Sequence, residues 1–174
     1  MNRITFVIGG CRSGKSGHAQ ALAEQIEGKK IYLATCVPHD DEMAERVRRH
    51  QAQRDARWET LEEPVELAGA IADHSGEYNV ILVDCLTLWT SNLLLSPDKA
   101  PELDAACRDL VQSLKSARCP VILVSNEVGT GIVPENELAR RYRDEAGWVN
   151  QKIAASADRV VWMVAGIPVT IKGN

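Results

Sequence analysis

The sequence lacks the cysteine pattern of a cross-linked or zinc-binding protein. Its five cysteines are an odd number in 174 residues, and no C-x-x-C spacing occurs. A disulfide framework and a structural zinc site both need paired or clustered thiols, so the pattern argues against both. Reduced thiols and a cytoplasmic location are the prediction.

An excess of positive charge and long apolar runs are also absent. The formal net charge is −4, and we expect no general nucleic-acid binding, which needs a clear positive excess. No run approaches the roughly 20 apolar residues that a membrane span requires. The opening residues, MNRITFVIGG, carry too short an apolar stretch for a signal peptide.

Short β-branched runs, in contrast, recur along the whole chain. They predict parallel strands buried on both faces: ITFVIG, KIYLAT, NVILVD, PVILVS and RVVWMVAG. Helix-like segments separate them, at 15–27, 40–57, 62–74, 86–95, 101–117 and 135–156. The alternation predicts one α/β domain over residues 1–174, with a mostly parallel sheet flanked by helices. The tail WMVAGIPVTIK predicts a C-terminal hairpin that turns at Gly166, Ile167 and Pro168.

The segment after the first strand has the pattern of a phosphate-binding loop. GGCRSGKS, residues 9–16, matches G-x-x-x-x-G-K-S between a predicted strand and a predicted helix. Glycines let backbone N–H groups point at phosphate oxygens, the lysine reaches the β- and γ-phosphates, and the serine hydroxyl ligates Mg²⁺. The predicted nucleotide-binding residues are Gly9, Gly10, Cys11, Arg12, Ser13, Gly14, Lys15 and Ser16. A purine triphosphate with Mg²⁺ is indicated, and the pattern leaves the base open.

A carboxylate ends another predicted strand. NVILVD closes on Asp84, which could hold Mg²⁺ directly or through water. The same side chain could instead cap the following helix, and the two roles are compatible. We predict a metal site formed by Ser16 and Asp84.

One histidine lies in an arginine-rich predicted helix. Met43, Val47, His50 and Arg54 share a face, which directs His50 inward. A histidine on such a face is usually a packed core residue. Nearby arginines, however, favour the neutral imidazole, which is a competent nucleophile beside a bound α-phosphate. The helix by itself does not decide whether His50 is a packed core residue or a nucleophile.

The loop SNEVGTGIVPEN, residues 125–136, follows a predicted strand at the end where ligands bind. We hypothesise that it closes over a phosphate acceptor and that Glu127 orients a hydroxyl or a metal-bound water. A structural turn is the alternative.

Taken together, these motifs resemble one enzyme family. The stretches GGCRSGKS, YLAT, DDEMAERVRRH, LVDCLTLWTSNLL, VSNEVGTGIVPEN, LARRYRD and GWVNQKIAASAD are similar to the bifunctional adenosylcobinamide kinase / adenosylcobinamide-phosphate guanylyltransferases of cobalamin biosynthesis. The resemblance implies a P-loop NTPase-type α/β fold. It implies phosphorylation of adenosylcobinamide by ATP or GTP, and then transfer of GMP from GTP to the phosphate, giving adenosylcobinamide-GDP and pyrophosphate.

The resemblance also implies roles for particular residues. The second reaction would pass through a guanylyl-histidine at His50, with Lys15 as a further catalytic residue. Besides residues 9–16, the implied GTP contacts are Ala34, Thr35, Cys36, Gln51, Ala52, Gln53, Arg54, Glu62 and Asp84. The substrates would be the corrinoid and the triphosphates, and the implied assembly is a homo-oligomer, a trimer.

Two other functions compete with this one. A simple P-loop small-molecule kinase would need the phosphate loop but no covalent histidine adduct. A nucleotide-dependent switch or assembly ATPase would couple hydrolysis to a protein partner, and no segment has the composition of a partner-binding tail.

Overall fold

The computed structural model describes residues 3–37, 55–95 and 101–173. Its strands are β1 (Ile4–Gly9), β2 (Lys30–Ala34), β3 (Trp58–Glu62), β4 (Val80–Asp84), β5 (Val121–Asn126), β6 (Arg159–Val164) and β7 (Ile167–Lys172). Its helices are α1 (Lys15–Glu24), α2 (Leu67–His74), α3 (Leu86–Leu95), α4 (Leu103–Ser116) and α5 (Glu137–Ser156). Strands and helices alternate along most of the chain, as the sequence predicts for an α/β domain.

The described strands form one sheet in the order β3-β2-β4-β5-β1-β6-β7. Every neighbouring pair is parallel except β6 and β7, which form an antiparallel hairpin. The central strands are largely apolar and buried because helices cover both of their faces. The carboxyl ends of the parallel strands therefore meet at one edge of the sheet.

The two faces of the sheet bury different helices. Val7 of β1 packs in a cluster with Ala19 and Ala23 of α1. Phe6, the neighbouring residue on β1, faces the other way, into the larger cluster that includes buried residues of α2, α3, α4 and α5. The period-two alternation of strand side chains thus separates an α1 face from an α5 face.

Between residues 55 and 74 the structure differs from the elements predicted from the sequence. Residues 58–62 form a strand, β3, which the periodicity did not indicate because WETLE is half exposed at the sheet edge. The helix predicted at 62–74 begins only at Leu67. Most of the helix predicted at 40–57 lies outside the described residues, and residues 55–57 form a turn.

The C-terminal hairpin is confirmed, but its turn is shorter than predicted. The two turn residues are Ala165 and Gly166, with φ of 50° and 83°, and Ile167 already begins β7. Positive φ at both positions is typical of a tight hairpin turn that matches strand twist. Pro168 is tolerated inside β7 because this strand is at the sheet edge.

None of the helices among the described residues is both long and apolar enough to cross a membrane.

Candidate functional site: a phosphate-binding loop and its neighbours

The segment 9–16 leaves the sheet at the carboxyl end of β1 and enters α1. Gly9 is paired with Asn126 of β5 and Met163 of β6. A β-carbon at Gly9 would collide with the backbone carbonyl oxygen of Met163, so the strands can approach here only around a glycine. Gly14 precedes α1 with φ of 91°, a left-handed conformation that lets the chain turn sharply into the helix.

Lys15 is the first residue of α1, and its ammonium folds back over the loop. Its Nζ donates to the carbonyl oxygen of Gly10 at 2.7 Å, and the residue is buried. A β-carbon at Gly10 would meet no atom within 4 Å, so the loop has an open side. Backbone N–H groups, a helix N-terminus and a lysine at this place form an arrangement suited to an anion.

Other loop side chains differ in exposure. Cys11 and Arg12 are exposed and Ser16 is half-buried. Ser13 is buried, and its hydroxyl has no hydrogen-bond partner among the described residues. Its backbone carbonyl accepts from the N–H of Gly166 at 3.1 Å, which ties the loop to the hairpin turn.

Three predicted site residues occupy one row across the sheet edge. Glu62 of β3 pairs with Ala34 of β2, and Ala34 pairs with Asp84 of β4. Asp84 Oδ2 accepts a hydrogen bond from the Tyr32 hydroxyl at 3.1 Å. Helix α1 packs against β4 and β5, so the loop end that carries Ser16 lies on the side of the sheet near Asp84.

Thr35 joins two strand ends and is fully buried. Its hydroxyl donates to the Cys85 carbonyl oxygen and accepts from the Cys85 N–H, both at 2.8 Å. Its carbonyl accepts from Asn92 of α3 at 2.8 Å. The Thr35 side chain therefore positions the segments carrying Ala34 and Asp84, and Cys36 follows as a half-buried neighbour.

The buried Cys85 thiol is not an ionised nucleophile. Burial, together with the negative charge of Asp84, raises the pKa of Cys85 to about 11. A thiol with this pKa is protonated at neutral pH. The structure thus gives Cys85 a packing role beneath Asp84, with its sulfur 2.9 Å from the Thr87 hydroxyl oxygen.

Glu127 lies directly beside the start of the phosphate loop. Its N–H donates to the Gly9 carbonyl oxygen at 3.1 Å. Its Oε2 accepts from the Trp162 indole N–H at 3.0 Å. A carboxylate is therefore held across the end of β1, between β5 and β6.

The fold brings together most of the predicted residues that it describes. Residues 9–16 and Glu127 meet at β1, while Ala34, Glu62 and Asp84 share the neighbouring row. His50, Gln51, Ala52, Gln53 and Arg54 lie outside the described residues. Sequence reasoning did not single out Tyr32, Asn92 or Trp162, which position the site. All three sit in ordinary apolar segments, so no local spacing distinguishes them.

The family model described as cobinamide kinase / cobinamide phosphate guanyltransferase matches residues 5–171. The bifunctional adenosylcobalamin biosynthesis protein CobP of Pseudomonas aeruginosa is 46% identical over 169 residues, which are 97% of each chain. The bifunctional adenosylcobalamin biosynthesis proteins CobU of Salmonella typhimurium and Escherichia coli are 46% and 44% identical, each over 97% of this chain and 99% of theirs.

Solved structures of more distant proteins share the fold. The RadB recombinase superposes with a TM-score of 0.52 at 18% identity, covering 91% of this chain and 73% of that one. A type III secretion system ATPase of pathogenic bacteria superposes with a TM-score of 0.55 at 10% identity, over 97% of this chain and 56% of that one. At these identities the likeness concerns the P-loop α/β architecture alone.

Proposed function

Because the chain belongs to the cobinamide kinase / cobinamide phosphate guanyltransferase family, we propose that it catalyses both reactions at the phosphate loop. It first transfers the γ-phosphoryl group of ATP or GTP to the hydroxyl of adenosylcobinamide. It then transfers GMP from GTP to the resulting phosphate. The observation that carries the proposal is the folded loop 9–16, with Lys15 bent over it at the carboxyl end of β1.

Each loop residue has a chemical task in this proposal. On binding, the triphosphate would replace the Gly10 carbonyl as the partner of Lys15, and the backbone N–H groups of the loop would hold the phosphate oxygens. The exposed Arg12 can reach the same anion. Positive charge at this place stabilises the negative charge that develops on the leaving phosphates.

Magnesium fits the donors at the sheet edge. Mg²⁺ prefers one or two protein oxygens together with substrate phosphates, and the Ser16 hydroxyl and the Asp84 carboxylate supply oxygens of this kind. The bound ion would neutralise charge on the β- and γ-phosphate oxygens. Tyr32 holds the Asp84 side chain by donating a hydrogen bond to Oδ2.

The guanylyl transfer is proposed to use His50. An imidazole nitrogen attacks the α-phosphorus of GTP, the bond to the α,β-bridging oxygen breaks, and pyrophosphate leaves. An oxygen of cobinamide phosphate then attacks the same phosphorus and displaces the imidazole, which gives cobinamide-GDP. Gln51, Ala52, Gln53, Arg54 and Glu62 are proposed GTP contacts, with Ala34, Thr35 and Cys36 contributing through the end of β2.

Labelling with α-³²P-GTP tests the histidine step. The wild-type protein should acquire an acid-labile, base-stable label, and His50→Asn should acquire none while retaining γ-phosphoryl transfer. His74→Asn is the matched control, because His74 ends α2, away from the carboxyl edge of the sheet. A wild-type protein that phosphorylates cobinamide without ever taking up label would instead be a simple P-loop kinase.

We propose two further properties of the molecule. A homo-oligomer, a trimer, is supported by the exposed apolar side chains of Ile167 and Val169 on the edge strand β7. A cytoplasmic location is supported by the five free thiols. Sedimentation analysis of the purified chain tests the first, since a sedimentation coefficient of a monomer at micromolar concentration would exclude it.

A further inference from the structure

A cavity of about 530 Å³ lies on the α5 face of the sheet, next to the phosphate loop. Its sheet wall is apolar and includes Ile8 of β1, Trp162 of β6 and Ile171 of β7. Its helix wall includes Gly147 and Ala154 of α5. We call it the α5 cavity. Its size is that of a small-molecule site, and its walls are suited to an apolar surface.

A carboxylate stands at the rim of the α5 cavity nearest the phosphate loop. Glu127 lines the cavity, and its N–H is bonded to Gly9, the first residue of the loop. Trp162 holds one carboxylate oxygen. Among residues 3–37, 55–95 and 101–173, no donor contacts the other oxygen, so it is available to a ligand hydroxyl.

One buried amide oxygen at the cavity also lacks a donor. Asn150 lines the cavity, and its side-chain N–H donates to the Asn126 backbone carbonyl at 3.1 Å. The Oδ1 atom of Asn150 is buried without a partner in the part of the chain that the structure describes. Because an unpaired buried acceptor costs about 1–3 kcal/mol, Asn150 Oδ1 indicates a ligand with an N–H donor.

The nucleotide is not the occupant that this geometry favours. The phosphate loop leads into α1, which packs on the face of the sheet marked by Val7. The α5 cavity lies on the opposite face, marked by Phe6 and Ile8. A nucleotide held at the N-terminus of α1 therefore leaves this cavity free, while the cavity still reaches the loop at Glu127.

We propose that the α5 cavity receives the cobinamide acceptor, with its hydroxyl against Glu127. This inference rests on the proposed function. Cobinamide combines an apolar macrocycle edge, peripheral primary amides and a hydroxyl-bearing arm. The macrocycle edge matches the apolar walls, the amides match the Asn150 acceptor, and the hydroxyl matches the Glu127 carboxylate.

The proposal assigns a path to the proton in the kinase step. The acceptor oxygen forms a bond to the γ-phosphorus of the triphosphate, and the bond to the β,γ-bridging oxygen breaks, so that a nucleoside diphosphate leaves. The hydroxyl proton passes to the Glu127 carboxylate and from there to water. In the guanylyl step the acceptor is a phosphate oxygen, which has no proton to lose.

Narrowing the cavity tests its occupant. Gly147 lies inside α5, and a β-carbon there would meet no atom within 4 Å, so Gly147→Leu should fold and occupy cavity space. We expect the KM for cobinamide to rise about tenfold or more, with the KM for the triphosphate unchanged. Gly69→Leu on α2, equally unobstructed, is the matched control and should change neither. A rise in the triphosphate KM instead, or no change in either constant, would overturn the assignment.

Removing the carboxylate tests the role of Glu127. Glu127→Gln retains an oxygen for the Trp162 N–H but cannot take up a proton. The kcat for phosphorylation should fall about 100-fold, while calorimetric binding of cobinamide and GMP transfer to supplied cobinamide phosphate remain. Equal losses in both reactions would reduce Glu127 to a structural residue and contradict the proposal.

Two measurements separate this inference from the proposed function. Labelling of His50 by GTP needs no acceptor, so the Gly147→Leu protein should be labelled as strongly as the wild type. If the wild-type protein takes up no label, only the proposed histidine step is contradicted. In the wild-type protein, cobinamide should slow amide hydrogen exchange in residues 127–130 and 147–154. If cobinamide slows amide hydrogen exchange only on another surface, the α5 cavity is not the acceptor site. This outcome does not depend on whether the substituted proteins fold.

Discussion

Single residues at the sheet edge divide into those proposed to face a ligand and those that hold them in place. Lys15 and Asp84 belong to the first group and are charged. Thr35 carries no charge, yet its hydroxyl makes two hydrogen bonds across the gap between β2 and β4. Because the residue is fully buried, water cannot replace those bonds when the hydroxyl is removed.

Thr35→Val should therefore destabilise the protein. The backbone N–H and carbonyl of Cys85 would lose their partner, and we expect the free energy of unfolding to fall by about 1–3 kcal/mol. Urea unfolding measures the change. Thr35→Ser, which retains the hydroxyl, is the control and should lose distinctly less; equal losses in the two variants would assign the effect to packing.

At the scale of elements, the phosphate loop depends on how closely three strands approach. Gly9 lies between Asn126 of β5 and Met163 of β6, and the Met163 carbonyl occupies the space that a β-carbon would need. The glycine is thus required by strand packing, independently of its proposed role in ligand binding. A β-carbon at the next residue, Gly10, would meet no atom within 4 Å.

The two glycines make a matched pair of substitutions. Gly9→Ala must push β1 away from β6, and we expect a loss of about 1–3 kcal/mol in the free energy of unfolding. Gly10→Ala should unfold within about 0.5 kcal/mol of the wild type. Thermal and urea unfolding without nucleotide measure both. A Gly10→Ala protein as unstable as Gly9→Ala would contradict the packing argument.

At the scale of the whole molecule, several ionisable groups are buried within the layers. Burial raises the pKa of the Cys107 thiol, on α4, to about 11. The pKa of Tyr142 is raised to about 12, chiefly by burial, and that of Tyr78 to about 12, chiefly by its hydrogen bond to Glu59. All of these shifts favour the protonated forms in the folded state.

Stability should consequently fall at alkaline pH. From about pH 9 the unfolded chain releases thiol protons, whereas the folded chain retains that of Cys107 until about pH 11, so the unfolded state binds fewer protons in this window. The free energy of unfolding therefore declines between about pH 9 and pH 11. Below about pH 9, Cys107 does not affect its pH dependence. Urea unfolding at a series of pH values, with reductant present, measures this decline. Cys107→Ala should make the decline shallower, and an unchanged slope would refute the assignment.

Local residue spacing is enough to predict the phosphate loop of this protein. It does not predict which residues from other elements surround that loop. Residues 9–16 predict the phosphate loop because eight consecutive residues contain the turn, the cation and the hydroxyl. Apolar runs similarly determined that a layered α/β domain forms, because strand and helix periods are short-range properties. The strand β3 escaped detection because a half-exposed edge strand has no such signature.

Tertiary structure alone decided which distant residues serve the site. Trp162 reaches Glu127 across 35 positions and Thr35 reaches Cys85 across 50, because the strand order places β1 between β5 and β6, and β4 beside β2. The α5 cavity arises in the same way, from the gap between a helix and a hairpin. Contacts of this kind depend on the pairing of separate elements, which no local spacing of residues specifies.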